Sequence, residues 1–145
     1  MVAHRVSATS ISANSGHPMD FSLPTILITL GQLLIGGLYV FAGLNHFGPV
    51  SEKIIPVLAA RGVPQPRMAL YVASALEILA GACLMMGVAV VPAALGLALF
   101  TVLASYVMTN FWDMPPGEAR EALHNVCISN LAIVGGLLLA AAQAL

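Results

Sequence analysis

At 145 residues the chain has room for one domain, but 59% of it is hydrophobic and only 8% is charged, against about 25% charged in a soluble domain. A net charge of -1 offers no basic face and argues against nucleic acid as a partner, and two cysteines define no disulfide framework. The charges are also clustered, so that Phe21 to Ser51, Ile78 to Trp112 and Ala122 to Leu145 hold no Asp, Glu, Lys or Arg. A hydrocarbon core of roughly 30 Å needs about 20 helical residues, and in lipid a helix satisfies its own backbone. The short alternating strands of a β-barrel are missing. The composition predicts an all-α protein integral to a membrane.

The first twenty residues, MVAHRVSATSISANSGHPMD, are serine-rich and unpatterned and are expected to be a disordered tail, with residues 21–145 forming the transmembrane domain. No short apolar core with a cleavage site precedes the first long span, so a signal peptide is not expected. Met19 stands just before that span and is a second candidate start of translation. The first span opens at SLPTILITLG, with Ser22 placed to cap the helix and Pro24 in the first turn, where a missing N–H costs little. It runs to about Phe47. The stretch VSEKIIPVLAARGVPQPRM is too polar to cross and too apolar for an open loop. Ser51 to Ala60 is therefore predicted as a short helix in the interface, closed by Gly62 and the prolines at 64 and 66. From Met68 to Trp112 the only charge is Glu77, yet the segment is too long for one crossing. MGVAVVPA divides it, Gly87 ending one helix and Pro92 beginning the next. After WDMPPGEAR, with Trp112 at headgroup level, the last span covers Arg120 to Ala142. The result is a four-helix integral membrane bundle with a short interfacial helix between spans one and two.

Four spans put both termini on one face and the two longer connections on the other. The connecting face carries Lys53, Arg61, Arg67 and Arg120, against Arg5 on the terminal face, so the positive-inside rule makes it cytoplasmic. In a bacterium this is an inner-membrane protein with periplasmic termini. Cys83 and Cys127 fall in different halves of the bilayer and read as packing residues.

Intramembrane polarity gathers toward the connecting face: Asn45 and His46 end span one, Tyr106, Thr109 and Asn110 end span three, and His124 and Asn125 open span four. Glu77 lies ten residues beyond Arg67 and Asn130 ten beyond Arg120, so both are about 15 Å deep. An ionised carboxylate there is costly, so Glu77 must be buried against protein, neutral, or both. Ala73, Ser74, Ala80 and Gly81 share its helix face, and small residues mark helix–helix contact in membranes. Gln32, Gly36, Tyr39, Gly43 and His46 form a matching stripe on span one, and Asn125, Ser129, Ala132 and Gly136 one on span four, a face that excludes Asn130. Asn, Ser and Thr also bridge helices for about 0.6 kcal/mol each, the blander reading of Thr109, Asn110, Ser129 and Asn130. Tyr39 and Tyr106 can pack with one hydroxyl bond. Motifs for a metal, a nucleophile or a dinucleotide are missing. A haem between His46 and His124 is not expected, since Gly43 is the only obvious room for a porphyrin.

The order LYVFAGLNHFG, LAARGVPQP, ALEILAGACLMMG and LHNVCISNLAIVGGLLLAA, across roughly residues 27 to 142, resembles the DoxX/DoxD family of four-helix membrane proteins. The resemblance implies a link to respiratory or sulfur redox chemistry, since relatives include the membrane subunit of a thiosulfate:quinone oxidoreductase and a partner of oxidative-stress enzymes. The family's acid falls on Glu77, its polar residue at the end of the first span on Asn45 and His46, and its polar pair on His124 and Asn125. Histidine stands at both helix ends where lysine or another polar residue is common in the family.

These observations lead to a small membrane subunit of a redox complex that binds a quinone-like lipophilic ligand around Glu77, with no covalent cofactor. Glu77 would exchange a proton with the ligand, and His46 and His124 would relay it to water. Tyr39, Asn45, Asn125, Asn130 and Tyr106 complete the candidate ligand-binding set. Electrons would come from a partner redox enzyme. The rival is a non-catalytic accessory or assembly subunit whose small-residue faces pack against a larger complex. A proton-coupled carrier is a third reading, though four spans without an inverted repeat are few for one.

Overall fold

The computed structural model describes residues 22–145, so the tail expected over residues 1–20 lies outside the described residues. Five α-helices follow one another: α1 (Leu23–Asn45), α2 (Val50–Ala60), α3 (Pro66–Met86), α4 (Val90–Met108) and α5 (Glu118–Gln143), with a 3-10 turn at Phe111–Asp113 between the last two. Helices α1, α3, α4 and α5 are long and apolar enough to cross a membrane. The chain is an all-α four-helix membrane bundle, with α2 as the short helix between the first two spans.

The turns follow their local chemistry. Gly62 (φ 73°) closes α2 and Gly87 (φ 66°) closes α3, each in the left-handed conformation that lets two amides turn back onto the last carbonyls. Val63 bonds to the Leu58 carbonyl at 3.1 Å and Val88 to the Cys83 carbonyl at 2.9 Å. Pro56 stays inside α2. Ser22 departs from expectation: its hydroxyl bonds the Thr25 hydroxyl at 2.9 Å and caps no backbone amide. Ala89, which precedes α4, is also left-handed (φ 48°). That conformation costs an L-residue with a side chain about 1–2 kcal/mol, while glycine's freedom in the unfolded chain takes back about 0.4–1 kcal/mol. Ala89→Gly is therefore expected to stabilise the bundle by about 0.5–1 kcal/mol, measured as a higher melting temperature in mild detergent. A lower one would contradict the turn geometry.

Packing divides the bundle into two halves. Leu84, Leu97 and Leu137 are fully buried and, with Val90, Ala94, Ala98 and Ala141, fill the half nearest the termini. The closest seam is α1 against α3, where Gly36 and Gly81 meet backbone to backbone. The buried residues of α1 are Gly36, Tyr39 and Gly43, and those of α3 are Leu70, Ser74, Glu77, Gly81 and Leu84, on the faces expected from their spacing. Helix α5 is rotated from expectation. Of the expected stripe Asn125, Ser129 and Ala132 face outward and only Gly136 turns in, toward Ile35 of α1, while Leu137, Ala140 and Ala141 are buried. Leu137 and Ala141 join Ala94, Leu97 and Ala98 of α4 in one buried cluster, and that packing sets the rotation of α5. Cys83 and Cys127 are free thiols, each half-buried.

Candidate functional site

Toward the connecting face the helices part around a cavity of about 670 Å³. The second half of α1, the first half of α3, the second half of α4 and the middle of α5 supply its walls, and Ile54, Leu58 and Val63 of the α2 region cover one side. Its lining is mostly apolar, with five polar side chains: Tyr39, His46, Glu77, Thr101 and Asn130. A shallow groove on the outer side of the bundle, bounded by Met68, Val72 and Leu76, shares Ala69, Ala73 and Phe100 with the cavity. Met68 and Val72 are exposed, so this common wall separates the cavity from the surface that meets lipid.

Glu77 sits midway along α3 and is 4% exposed. It can approach α1 because Gly43, opposite, has no side chain: a Cβ there would lie 3.2 Å from the Glu77 Cβ and 2.8 Å from the Ser74 carbonyl oxygen. His46, one turn on from Gly43, brings Nδ1 to 3.0 Å from Glu77 Oε2 and to 3.2 Å from Ser74 Oγ. The ring nitrogen is directed at Ser74, so Oε2, although buried, has no aligned hydrogen bond. Proximity without alignment leaves that oxygen with unused capacity beside His46, while the Glu77 side chain forms part of the cavity wall. The Ser74 hydroxyl also donates to the Leu70 carbonyl at 2.8 Å.

A second polar pair crosses from α1 to α4. The Tyr39 hydroxyl bonds to Thr101, whose own hydroxyl donates to the Leu97 carbonyl at 2.7 Å. From α5, Asn130 Nδ2 donates to Ser105 Oγ at 2.8 Å, which holds the amide against α4. A residue at mid-depth on each of α3 and α5 thus borders one cavity, as the matched depths of Glu77 and Asn130 require.

The remaining candidates lie elsewhere. His124 is exposed and packs edge-on to Phe111, ring centroids 4.9 Å apart, whose carbonyl accepts from Arg120 Nε at 3.2 Å. Tyr106 is 70% exposed and stacks on Trp112 at 5.6 Å. Asn45 and Asn125 are exposed. None of the four residues borders the cavity. Helical geometry accounts for this: at about 100° per residue, turning Asn130 inward swings His124 and Asn125 well away from it, and turning His46 inward sends Asn45 out. His46 and His124 therefore do not face one another across the bundle. Thr101 was not singled out by sequence reasoning, although a lone hydroxyl in the run LGLALFTVLA was the available signal.

Among the described residues no group of His, Cys, Asp and Glu is arranged to hold a metal ion. No curated protein and no solved structure matches the chain. The DoxX family profile matches residues 27–110, which takes in Tyr39, His46, Glu77 and Thr101 and leaves α5 outside. With more than half of its length matched, the chain belongs to the DoxX family.

Proposed function

We propose that this protein is a small membrane subunit of a redox complex and that the cavity beside Glu77 holds a quinone-like lipophilic ligand. One observation carries the reading: a buried carboxylic acid with an unaligned oxygen, set in the wall of a mostly apolar cavity large enough for a ring and part of a tail. Lipophilic ligands are held by sites of this kind, with apolar walls and a few placed polar groups. Glu77 holds the ligand oxygen and exchanges a proton with it, His46 passes that proton toward the connecting face, and Tyr39 and Asn130 orient the ring. A partner protein supplies the electrons. The positive charges of the connecting loops support a cytoplasmic connecting face and periplasmic termini, in the inner membrane of a bacterium.

The test is quinone content and binding of the purified protein beside its Glu77→Gln variant. A carboxylate accepts a hydrogen bond from a ligand hydroxyl, and loss of a hydrogen bond to a charged group costs roughly 1.5–3 kcal/mol, so the variant is expected to bind a short-tailed quinol about tenfold to a hundredfold more weakly. Quinone reduction by the intact complex should fall with it. Wild-type protein that binds neither quinone nor quinol, with Glu77→Gln leaving the complex's activity unchanged, would remove the proposal.

The accessory-subunit reading draws on a different observation, the outward face of Asn125, Ser129 and Ala132 on α5. Small and polar residues of that kind support helix contact in a bilayer. Gly36 and Gly81 give it no support, since they face each other within the chain. Under that reading Glu77→Gln spares activity.

A further inference from the structure

We infer that the cavity takes its ligand in the hydroxylated, hydrogen-bond-donating form, a quinol in preference to a quinone. The inference rests on the proposed function for the identity of the ligand and on the direction of two hydrogen-bond chains for its redox state.

Each chain starts at a backbone carbonyl and ends at the cavity. In the first, the Thr101 hydroxyl gives its hydrogen to the Leu97 carbonyl. A hydroxyl has one hydrogen, so in the Tyr39–Thr101 contact Thr101 accepts and Tyr39 donates. The Tyr39 oxygen, at the cavity wall, retains only acceptor lone pairs. In the second chain Ser74 gives its hydrogen to the Leu70 carbonyl and must accept from His46, which places a hydrogen on Nδ1. Glu77 Oε2, 3.0 Å from that N–H nitrogen and enclosed by protein, is an acceptor, and the other oxygen of the carboxylate, on a residue that lines the cavity, is an acceptor with it. Neutral imidazole protonated at Nδ1 leaves Nε2 as a further acceptor. Both chains therefore run their hydrogens away from the cavity. Asn130 is the exception, since an amide that gives one hydrogen to Ser105 keeps a second hydrogen and a carbonyl.

A quinone presents carbonyl oxygens, which would meet acceptors at both stations. The quinol, richer by two electrons and two protons, presents hydroxyls that can donate to Tyr39 and to Glu77. Preferential binding of the reduced form makes the bound ligand easier to reduce, by about 30 mV for each tenfold of preference in a two-electron couple.

The experiment compares three probes of one tail length on the full chain in mild detergent under anaerobic conditions: decyl-benzoquinol, decyl-benzoquinone and the dimethyl ether of the quinol. Two mismatched stations, each forfeiting a hydrogen bond, predict a quinol affinity about tenfold or more above the other two. Thr101→Val frees the Tyr39 hydroxyl to turn inward as a donor, so quinone binding should rise and the preference fall. Tyr39→Phe should lower the preference without that rise, and melting temperatures show that each variant is folded. Equal affinity for quinol and quinone, or a preference unmoved in both variants, overturns this inference and leaves the ligand reading standing. Failure of all three probes to bind overturns both.

Discussion

Gly36→Ala is expected to lower the stability of the bundle by about 2 kcal/mol, while Gly37→Ala, one residue on, raises it by up to about 1 kcal/mol. A Cβ on Gly36 would lie 2.5 Å from the Gly81 carbonyl oxygen, 2.7 Å from Met85 Cγ and 3.1 Å from the Met85 amide nitrogen. Met85 Cγ can move, but the two backbone atoms belong to a continuous helix and can yield only if α1 and α3 separate. Overpacking costs typically about 1–3 kcal/mol, and separating this seam also withdraws dispersion contacts along its length. Against that stands a gain of roughly 1 kcal/mol in helix propensity on replacing glycine by alanine, which is the whole effect at Gly37, where nothing lies within 4 Å. The check is the difference in melting temperature between the two variants in the same detergent. Equal stabilities would mean that α1 and α3 do not approach as closely as Gly36 and Gly81 allow. The consequence for function is direct, because the same seam continues through Gly43 to Glu77.

His46→Leu is expected to destabilise the protein by about 2 kcal/mol, and the double variant His46→Leu with Glu77→Leu to recover most of that loss. In the single variant a buried carboxyl keeps its place and loses the nitrogen 3.0 Å away. Breaking a buried pair costs about 3–5 kcal/mol, and orphaning a buried polar group about 1–3 kcal/mol. The His46 side chain is 18% exposed, so water can partly replace it and the lower range applies. Replacing both partners with apolar side chains removes the group that needs solvation, which is often neutral or stabilising. A thermodynamic cycle over the four proteins isolates the coupling. Additive effects would show that His46 and Glu77 do not interact. The double variant should also be folded yet bind no quinol, separating the stability of the bundle from its chemistry.

That second outcome bears on why the pair exists. The terminal half of the bundle is closed by leucine, alanine and valine side chains with no ionisable pair among them, so stability does not require such a pair in the other half. A polar pair retained beside a cavity is the pattern expected when local stability is given up for a binding site.

Composition and spacing alone determined the membrane setting, the four spans, the interfacial helix and the burial of Glu77 against α1. These features depend on local or one-dimensional quantities: the length of uncharged runs, a glycine that turns the chain, and small residues recurring along one helix face. Stripes were legible on α1 and α3 because glycine permits a close approach that no other residue allows. On α5 the same reasoning held for Gly136, which meets Ile35, and failed for Asn125, Ser129 and Ala132, which face outward. In a bilayer both the outward and inward faces of a helix are apolar, so periodicity carries little information about rotation, and packing of Leu137 and Ala141 into the cluster with α4 set which side of α5 turned in. That rotation placed Asn130 at the cavity and His124 outside it. Thr101 became visible only once α4 lay beside Tyr39. The direction of each hydrogen bond likewise belongs to the tertiary structure, because it depends on which carbonyl each hydroxyl reaches and which partner then remains to accept.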